Sequence, residues 1–354
     1  MKIIIISFTA KGYELSLRIR DSLKDDPETD TELYSKCSSE NLPEEGSVIR
    51  VTESLFSWTE KHMEEKNAIL FIGALGIAVR AIAPFVKDKL KDNPVIVIDE
   101  LAKYVIPVLS GHVGGANQLA VMLGERTGAE PVITTATDIN DRFAADIFAK
   151  NNDLFILNRE GIALVSSKVL DGQNITVSVE PDHLSKEQDI PDGISIVPYP
   201  PQETTDIVIS SEDEGLKALL LLSPKIYTIG IGVRKGKDPG EVEELFFRTI
   251  KEQGIKPHQI SCIASIDIKR DEEGLVKLSR RLNVPFMTFS AGCLDALNGD
   301  FTASAYVKEI TGVDNVCERA AMMAAGKDGR LILGKQILKG MTMAIAVKNW
   351  NIKF

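Results

Sequence analysis

The sequence predicts an α/β protein that has two parallel-sheet domains with a smaller α+β module or linker between them. In both outer parts of the chain, apolar runs rich in β-branched residues alternate with segments of helical periodicity. Such alternation is typical of parallel strands that helices cover on both faces. Between about residues 151 and 223 the apolar runs become short, and Asp, Ser and Pro become common. We therefore predict an amino-terminal domain over 1–140, a middle module over 141–223 and a carboxyl-terminal domain over 224–354.

Apolar runs in the amino-terminal domain predict its strands. The first precedes a helix that reaches about Lys24, and the second precedes the turn Gly73–Gly76 and a helix that stops before Pro84. Another leads into S-G-H-V-G-G and a helix that Gly128 ends. The predicted strands are 3–8, 68–72, 95–98 and 105–109, and the apolar pair Val132-Ile133 follows the last helix.

The carboxyl-terminal domain repeats this pattern from Lys225 onward. The stretch I-Y-T-I-G-I-G-V-R-K-G-K predicts a strand and a glycine turn, and a helix follows. Asp238 is the predicted N-cap of that helix, with Pro239 in the first position and Glu241 three residues after the cap, which is a preferred arrangement at a helix start. Further strands are predicted at 260–266, at 286–289 and in the closing stretch G-M-T-M-A-I-A-V-K.

Composition and charge exclude several classes of function. The 354 residues carry a net charge of −10, which disfavours nucleic acid and anionic membranes as partners. No apolar window approaches the ~18 residues of a membrane span, and the first apolar run is too short for a signal peptide. The four cysteines form no C-x-x-C pair, which argues against a zinc or redox motif and suits a reducing compartment. We therefore expect a cytoplasmic protein.

Three glycine turns, at 73–76, 111–115 and 230–236, should lie at the carboxyl ends of strands, where open α/β sheets bind ligands. Glycine lets the backbone approach a ligand, and the helix N-terminus that follows offers N–H groups to an anion. We expect the three turns to line one cleft between the outer domains; the alternative for each is a tight turn without a ligand. The predicted binding residues are Gly73, Gly76, Arg80, Ser110, Gly111, Asn117, Gly230, Gly232, Arg234 and Lys235.

His112 is the predicted catalytic residue. An accessible imidazole titrates near neutral pH and can act as a general base, and the glycines on both sides leave this side chain little packing. The alternative is that His112 only caps backbone carbonyl groups. The other histidines, His62, His183 and His258, lie in charged or polar segments, and we interpret them as surface residues.

A second cluster of polar residues follows the helix after His112. The stretch V-I-T-T-A-T-D-I-N places Thr134, Thr135 and Asp138 at another predicted strand end. We interpret these residues as candidates for orienting water or substrate, with Asp138 as an alternative base. Capping of the next helix by Thr137 or Asp138 is the competing explanation.

In this order, the motifs resemble the CbiG family of anaerobic cobalamin biosynthesis. In the amino-terminal part they are F-I-G-A-L-G-I-A-V-R-A-I-A-P, V-I-V-I-D-E, V-L-S-G-H-V-G-G-A-N-Q-L-A and V-I-T-T-A-T-D-I-N. In the carboxyl-terminal part they are G-I-G-V-R-K-G, A-S-I-D-I-K-R-D-E-E-G-L and T-G-V-D-N-V-C-E-R-A-A. The resemblance covers nearly the whole chain and is weak only between about 150 and 223, where the family is also variable.

The resemblance implies a specific reaction. Members of the family hydrolyse cobalt-precorrin-5A: they open its δ-lactone and release the extruded ring carbon with its methyl group as acetaldehyde, which leaves cobalt-precorrin-5B. The cobalt arrives within the substrate, so the resemblance implies no cofactor of the protein's own and no metal site. Besides the cobalt-precorrin substrate, neighbouring enzymes of the pathway and a second copy of the chain are candidate partners. Arg80, Arg234 and Lys235 are expected to pair with substrate carboxylates.

For this reaction we assign roles to the residues of the His112 turn. His112 is the predicted base for the attacking water, and the N–H groups of Gly114 and Gly115 are the predicted oxyanion donors. Direct ligation of cobalt is the competing use of His112. Two other functions stay open: a tetrapyrrole-binding carrier without catalysis and, from fold analogy, a nucleotide-binding α/β enzyme, although the chain has no P-loop motif.

Overall fold

The structure is a computed structural model, and it describes residues 1–27, 29–37, 47–65, 67–88, 91–135, 142–185, 188–212 and 215–354. The chain forms two compact units, Met1–Ile147 and Phe148–Phe354. Helices and mixed sheets alternate in both, which confirms the α/β class. The predicted middle module therefore lies largely in the same unit as the predicted carboxyl-terminal domain.

A seven-stranded sheet forms the centre of the first unit. Its strands are β1 (Lys2–Ser7), β2 (Asp30–Ser35), β3 (Val48–Arg50), β4 (Ala68–Ile72), β5 (Val95–Ile98), β6 (Tyr104–Leu109) and β7 (Glu130–Pro131). Its helices are α1 (Ala10–Leu23), α2 (Leu55–Glu64), α3 (Leu75–Ile82) and α4 (Ala116–Thr127), while α5 (Ala145–Asn151) crosses into the second unit. The strand order is β3-β2-β1-β4-β5-β6-β7.

The first sheet is buried on both faces because its central strands are apolar at every position. In β1, Ile3 and Ile5 pack on one side with residues of α1 and α4, and Ile4 and Ile6 pack on the other side with Trp58. Successive side chains of a strand point to opposite faces, so a continuous apolar run supplies two cores at once. The strands predicted at 68–72 and 95–98 are confirmed with the same bounds.

One strand of the first sheet runs against the prediction of an all-parallel arrangement. β5 and β6 pair antiparallel, because only residues 99–103 connect them and a parallel connection needs a dozen or more. Asp99 stabilises this short turn by accepting hydrogen bonds from the N–H groups of Leu101 and Lys103, both at 2.9 Å. The carboxyl end of β6 consequently lies at the edge of the sheet where β4 and β5 begin.

The second unit contains two five-stranded sheets within the described residues. The first has the order β10-β9-β11-β12-β8, and the second has the order β15-β14-β13-β17-β16. Their strands are β8 (Leu154–Ile156), β9 (Ile175–Val179), β10 (Ile194–Val197), β11 (Thr205–Ile209), β12 (Ala218–Pro224), β13 (Tyr227–Val233), β14 (Ile260–Ile266), β15 (Phe286–Phe289), β16 (Arg330–Leu338) and β17 (Met341–Val347). The helices are α6 (Glu160–Leu170), α7 (Pro239–Glu252), α8 (Glu273–Leu282), α9 (Ala291–Asp295), α10 (Ala305–Thr311) and α11 (Cys317–Ala325).

Both sheets of the second unit are mixed. β8 pairs antiparallel with β12, and β17 pairs antiparallel with both β13 and β16. The strands predicted at 260–266 and 286–289 are confirmed. The predicted cap is confirmed as well, since the Asp238 carboxylate accepts a hydrogen bond from the N–H of Glu241 at 2.9 Å.

Residues 348–354 hold the two sheets of the second unit together. The ammonium group of Lys348 pairs with the carboxylate of Asp153, which lies just before β8. The imidazole of His183 stacks on Trp350 with ring centres 3.8 Å apart. His183 is therefore not the solvated loop residue that its sequence context predicts.

The surface position predicted for His62 is wrong. Its side chain is on the buried face of α2 and only 2% exposed. The ring lies 4.6 Å from Trp58 and 5.0 Å from Tyr34, measured between ring centres. Trp58 and His62 are four residues apart, so they lie on the same face of the helix. His258 also has an aromatic neighbour, because its ring stacks on Phe155 at 5.1 Å.

Candidate functional site

The turn at residues 110–115, between β6 and α4, contains the predicted catalytic histidine. Ser110 has a left-handed backbone with φ of 56°, and its hydroxyl donates a hydrogen bond to the carbonyl of Asp92 at 2.8 Å. The N–H of Ala116, at the start of α4, donates to the carbonyl of Ser110 at 3.1 Å. The Ser110 hydroxyl and the Ala116 N–H thus both fix the turn. This corrects the prediction that the start of this helix offers its N–H groups to an anion.

Two glycines of the turn are required by close packing. A Cβ atom on Gly111 would lie 2.7 Å from Oδ1 of Asn117, and one on Gly114 would lie 2.3 Å from Cβ of Ser110. Real Cβ atoms do not approach other atoms this closely. The turn itself therefore explains these two glycines, without a ligand against the backbone.

Gly115 is required by its conformation. It precedes α4 with φ of 89° and ψ of 15°, a region that glycine occupies without strain. Its N–H donates to the carbonyl of His112 at 3.0 Å, so this group is already used and the oxyanion role predicted for it is wrong in this arrangement. The N–H of Gly114 donates to no backbone carbonyl group of the described residues, and its role as an oxyanion donor stays a prediction.

The imidazole of His112 faces a carboxylate that the sequence did not single out. Nδ1 of His112 lies 3.6 Å from Oδ2 of Asp146, in the first turn of α5. The two side chains are 16% and 12% exposed, so little water separates the charges. This distance is longer than a hydrogen bond, but it is short enough for an ion pair once the imidazole is protonated.

The environment of Asp146 favours its charged form. Burial acts to raise the pKa of the carboxyl, but the His112 imidazole and the backbone N–H of Ile147 outweigh burial and leave the pKa below its ordinary value. Asp146 is thus an anion at neutral pH and stabilises a positive charge on the adjacent ring. Nothing in R-F-A-A-D-I-F-A indicated this, because no spacing rule relates a helix to a turn so far upstream.

The other predicted residues near the turn are only partly brought together. The amide of Asn117 donates a hydrogen bond to the hydroxyl of Thr135 at 3.0 Å, which links α4 to the segment that follows β7. Thr134 is exposed. Asp138 lies outside the described residues, and its role stays a prediction.

The first glycine turn lies at the opposite edge of the sheet. Gly73 follows β4, its N–H donates to the carbonyl of Ile98 at 2.9 Å, and β4 is parallel to β5. His112 follows β6, which is antiparallel to β5. A whole strand length, about 16 Å for five residues, therefore separates the two turns, and the prediction that they line one cleft is wrong. Gly76 and Arg80 both belong to α3, the helix that follows Gly73 in the chain.

The third glycine segment, 230–236, begins inside a strand, and the predicted turn follows that strand at residues 235–236. Gly230 and Gly232 both lie inside β13. A Cβ atom on Gly230 would lie 1.8 Å from the carbonyl oxygen of Cys317, so this glycine allows α11 to pack directly on the sheet. A Cβ atom on Gly232 would lie 2.6 Å from Oγ1 of Thr342. The sequence did not distinguish Gly230 and Gly232 from the glycines of a turn, because sequence alone does not show which glycines pack against another element.

A large cavity opens at the carboxyl end of β13, and we call it the carboxyl-terminal cavity. Its volume is about 980 Å³, at the upper end of the range for small-molecule sites. The predicted residues Gly232, Arg234 and Lys235 line it. Other lining residues are Ile266, Ile268, Lys269, Tyr306, Ile310, Val316, Lys335, Ile337 and Met341. The position agrees with the rule that open sheets bind ligands beyond the carboxyl ends of parallel strands.

The described residues contain neither a metal-binding cluster nor a membrane-spanning helix. No group of three or more His, Cys, Asp or Glu side chains is arranged to hold a metal ion there. Across the same part of the chain, no helix is both long enough and apolar enough to cross a bilayer.

Two family descriptions match this chain. The one described as cobalamin synthesis G N-terminal matches residues 57–138, and the one described as cobalamin synthesis G C-terminus matches residues 227–346. The first range contains the His112 turn, and the second contains all the residues that line the carboxyl-terminal cavity.

Similar proteins match across most of the chain. A cobalt-precorrin-5A hydrolase of Salmonella typhimurium is 32% identical over 88% of this chain and 90% of its own. One of Priestia megaterium is 30% identical over 85% of this chain and 82% of its own. A crystal structure of a cobalamin biosynthesis protein G homolog from Sulfolobus solfataricus is 23% identical, covers 98% of this chain and 97% of its own, and has a TM-score of 0.42.

Proposed function

Because this chain belongs to the cobalamin synthesis G family, we propose that it is a cobalt-precorrin-5A hydrolase. In this proposal it opens the δ-lactone of the substrate and releases acetaldehyde, and the product is cobalt-precorrin-5B. Cobalt enters as part of the substrate, and the chain supplies no cofactor of its own. We place the reaction in the cytoplasm, with neighbouring pathway enzymes or a second copy of the chain as further partners.

The observation that carries the proposal is the pair formed by His112 and Asp146. Nδ1 of the imidazole lies 3.6 Å from the carboxylate of Asp146, and in this proposal Nε2 accepts the proton from water. The Asp146 anion stabilises the positive charge that develops when the ring is protonated. An imidazole beside a buried carboxylate is one arrangement that supports base-catalysed hydrolysis of an ester or lactone.

The reaction has two stages in this proposal, opening of the lactone and cleavage of a C–C bond. Neutral His112 takes a proton from water as the water oxygen bonds to the lactone carbonyl, and the ring C–O bond breaks to leave a carboxylate and an alkoxide that is then protonated. Removal of the same hydroxyl proton later lets the C–C bond to the macrocycle break. The carbon leaves as acetaldehyde, while the electron pair stays on the macrocycle, which takes up a proton. The N–H of Gly114 is the remaining candidate donor to the oxyanion.

The test is to incubate the purified protein with cobalt-precorrin-5A and to trap and count acetaldehyde. We expect His112→Ala to fold normally and to release acetaldehyde about 10²- to 10⁴-fold more slowly, the usual effect of removing a positioned base. Glu125→Gln, which changes an exposed residue of α4, is the matched control and should retain the wild-type rate. A wild-type protein that binds the substrate but releases no acetaldehyde would instead be a tetrapyrrole carrier.

Normal turnover by a folded His112→Ala protein would remove this residue from the mechanism, and Asp138 would then be the next base to test. A changed visible spectrum of the bound corrinoid would instead indicate that His112 ligates cobalt.

A further inference from the structure

We propose that the carboxyl-terminal cavity binds one face of a flat, apolar macrocycle whose edge carries carboxylates. The inference deepens the proposed function and rests on it for the identity of the macrocycle. Three features of the cavity support the inference: its apolar walls, the basic residues on it that form no ion pair with another described residue, and the buried network that fixes one of its walls.

The walls of the cavity expose apolar surface that a flat ligand would cover. Among the described residues of the second unit, the large apolar side chains with the greatest exposure are Ile337, Tyr306, Ile268 and Ile310, at 82%, 66%, 62% and 59%. All four line this cavity. Apolar side chains that are scattered over a surface need no explanation, but their concentration around one concave site marks a binding surface.

The charges around the cavity favour an anion. Two of the acidic residues that line it are already paired, since Glu272 contacts Lys269 at 3.1 Å and Glu273 contacts Lys277. Asp271 is the acidic lining residue left without an ion pair among the described side chains.

Three basic lining residues exceed this single acid. Arg234, Lys235 and Lys335 line the cavity, and none of them forms an ion pair with another described residue. Cations at the rim of an apolar surface match a ligand that is apolar in its plane and anionic at its edge.

A buried carboxylate fixes the wall that carries Lys335. Glu318 is almost fully buried, and its oxygens accept hydrogen bonds from the N–H groups of Thr302 at 2.7 Å and Lys335 at 2.6 Å. The amide of Asn315 donates to the same carboxylate at 2.6 Å. These contacts join α11 to β16 and to the segment that leads into α10, which carries Tyr306. The cavity is therefore held in shape before a ligand arrives, which reduces the entropy lost on binding.

The test uses the full chain and a cobalt corrin with free carboxylates, cobyrinic acid, as the probe. Its methyl ester, which has the same ring but no edge charges, is the matched ligand control. Calorimetry should give a dissociation constant about tenfold or more lower for the acid than for the ester. Added salt should weaken binding of the acid much more than binding of the ester, because only the acid pairs with the cations.

Paired variants locate the binding site. Ile337→Ala should weaken binding of both probes about threefold to tenfold, because it removes apolar contact with the ring. Ile332→Ala changes an exposed isoleucine of the same strand that does not line the cavity, and it should leave both affinities unchanged. Lys335→Ala should weaken binding of the acid alone about threefold to tenfold, whereas Lys327→Ala, an exposed lysine outside the cavity, should not.

Several results would overturn the inference. It fails if the acid does not bind the wild-type protein, if acid and ester bind equally well, or if Ile337→Ala and Lys335→Ala bind the probes as the wild type does. Failure of the proposed function is a separate result, because it is measured as absence of acetaldehyde release. If the probes bind with the expected variant pattern but no acetaldehyde is released, the cavity is confirmed as a macrocycle-binding site and the proposed hydrolase function is wrong.

Discussion

The carboxylate of Asp146 determines how the imidazole of His112 responds to pH. A base works in its neutral form, so turnover should fall as pH drops through the pKa of the imidazole. The Asp146 anion stabilises the protonated ring, and Asp146→Asn removes this contribution. In Asp146→Asn the acid limb of the kcat/KM profile should move to lower pH, and the plateau should fall by about 10²-fold or more. Glu125→Gln should change neither feature, and an unshifted acid limb in Asp146→Asn would separate Asp146 from the base.

The buried imidazole of His62 makes folding stability depend on pH. Burial lowers the pKa of His62, and the nearby Glu65 raises it less. Neither ring nitrogen has a hydrogen-bond partner within the described part of the chain. A buried base with a lowered pKa gives its full stability above the unfolded value of about 6.5 and loses it as pH falls through the folded pKa.

His62→Phe should remove this dependence while it keeps the aromatic contacts with Trp58 and Tyr34. Below about pH 6.5 the wild type should lose up to about 1.4 kcal/mol per pH unit relative to the variant. Chemical denaturation of both proteins between pH 7.5 and 5 measures the difference. Parallel losses in the two proteins would show that another group titrates in this range.

At the level of elements, the close contact between β13 and α11 requires glycine, which has no side chain, at position 230. In Gly230→Ala the added Cβ would overlap the carbonyl oxygen of Cys317, and backbone cannot move aside as a flexible side chain does. We expect a loss of about 3 kcal/mol in the free energy of unfolding. Gly292→Ala is the matched control, because open space surrounds that position in α9, and it should be neutral or slightly stabilising. Equal stability of both variants would contradict this packing.

Strands were predictable from the sequence where the apolar pattern alone was enough to identify them. The runs at 68–72 and 95–98 are apolar throughout, and the run at 260–266 is apolar apart from Ser261 and Ser265; all three were found with their bounds. β2 has the sequence D-T-E-L-Y-S, which is polar at its start, and no strand was predicted there. The direction of β6 was available from the shortness of its connection to β5, a signal that the apolar pattern by itself does not contain.

The candidate site was less predictable than the fold. The sequence pointed to the His112 turn, but Asp146 comes from a helix far downstream, and only the folded chain brings the two together. The role of Gly230 was predicted incorrectly because a glycine that admits a ligand and one that admits a helix have the same sequence pattern. Arg234 and Lys235 were found since they follow an apolar strand, but Lys335 and Tyr306 line the same cavity from distant segments.

At the level of the whole molecule, net charge and local charge oppose each other. The chain carries a net charge of −10, while Arg234, Lys235 and Lys335 line the carboxyl-terminal cavity. A multiply anionic ligand is therefore repelled at long range and attracted at contact. Salt screens the repulsion over distances beyond about 10 Å at 0.1 M.

Stopped-flow binding of cobyrinic acid should reveal both effects. We expect the association rate constant to stay constant or rise as salt increases, and the dissociation rate constant to rise. Arg234→Ala should reduce the salt dependence of dissociation and leave that of association nearly unchanged. An association rate that falls steeply with salt would indicate steering by a positive field that the net charge does not provide.

The contacts of residues 348–354 constrain the order in which the protein can fold during its synthesis. Residues 1–147 form a compact unit by themselves, so they can fold on the ribosome while the rest is still being translated. The second unit is different, because Asn152 bonds to Lys353 across 201 residues of sequence. The sheet that contains β8 has all its strands before residue 225, but it gains its contacts with residues 348–354 only after those residues have left the ribosome, and we expect a chaperone to protect it most in that interval.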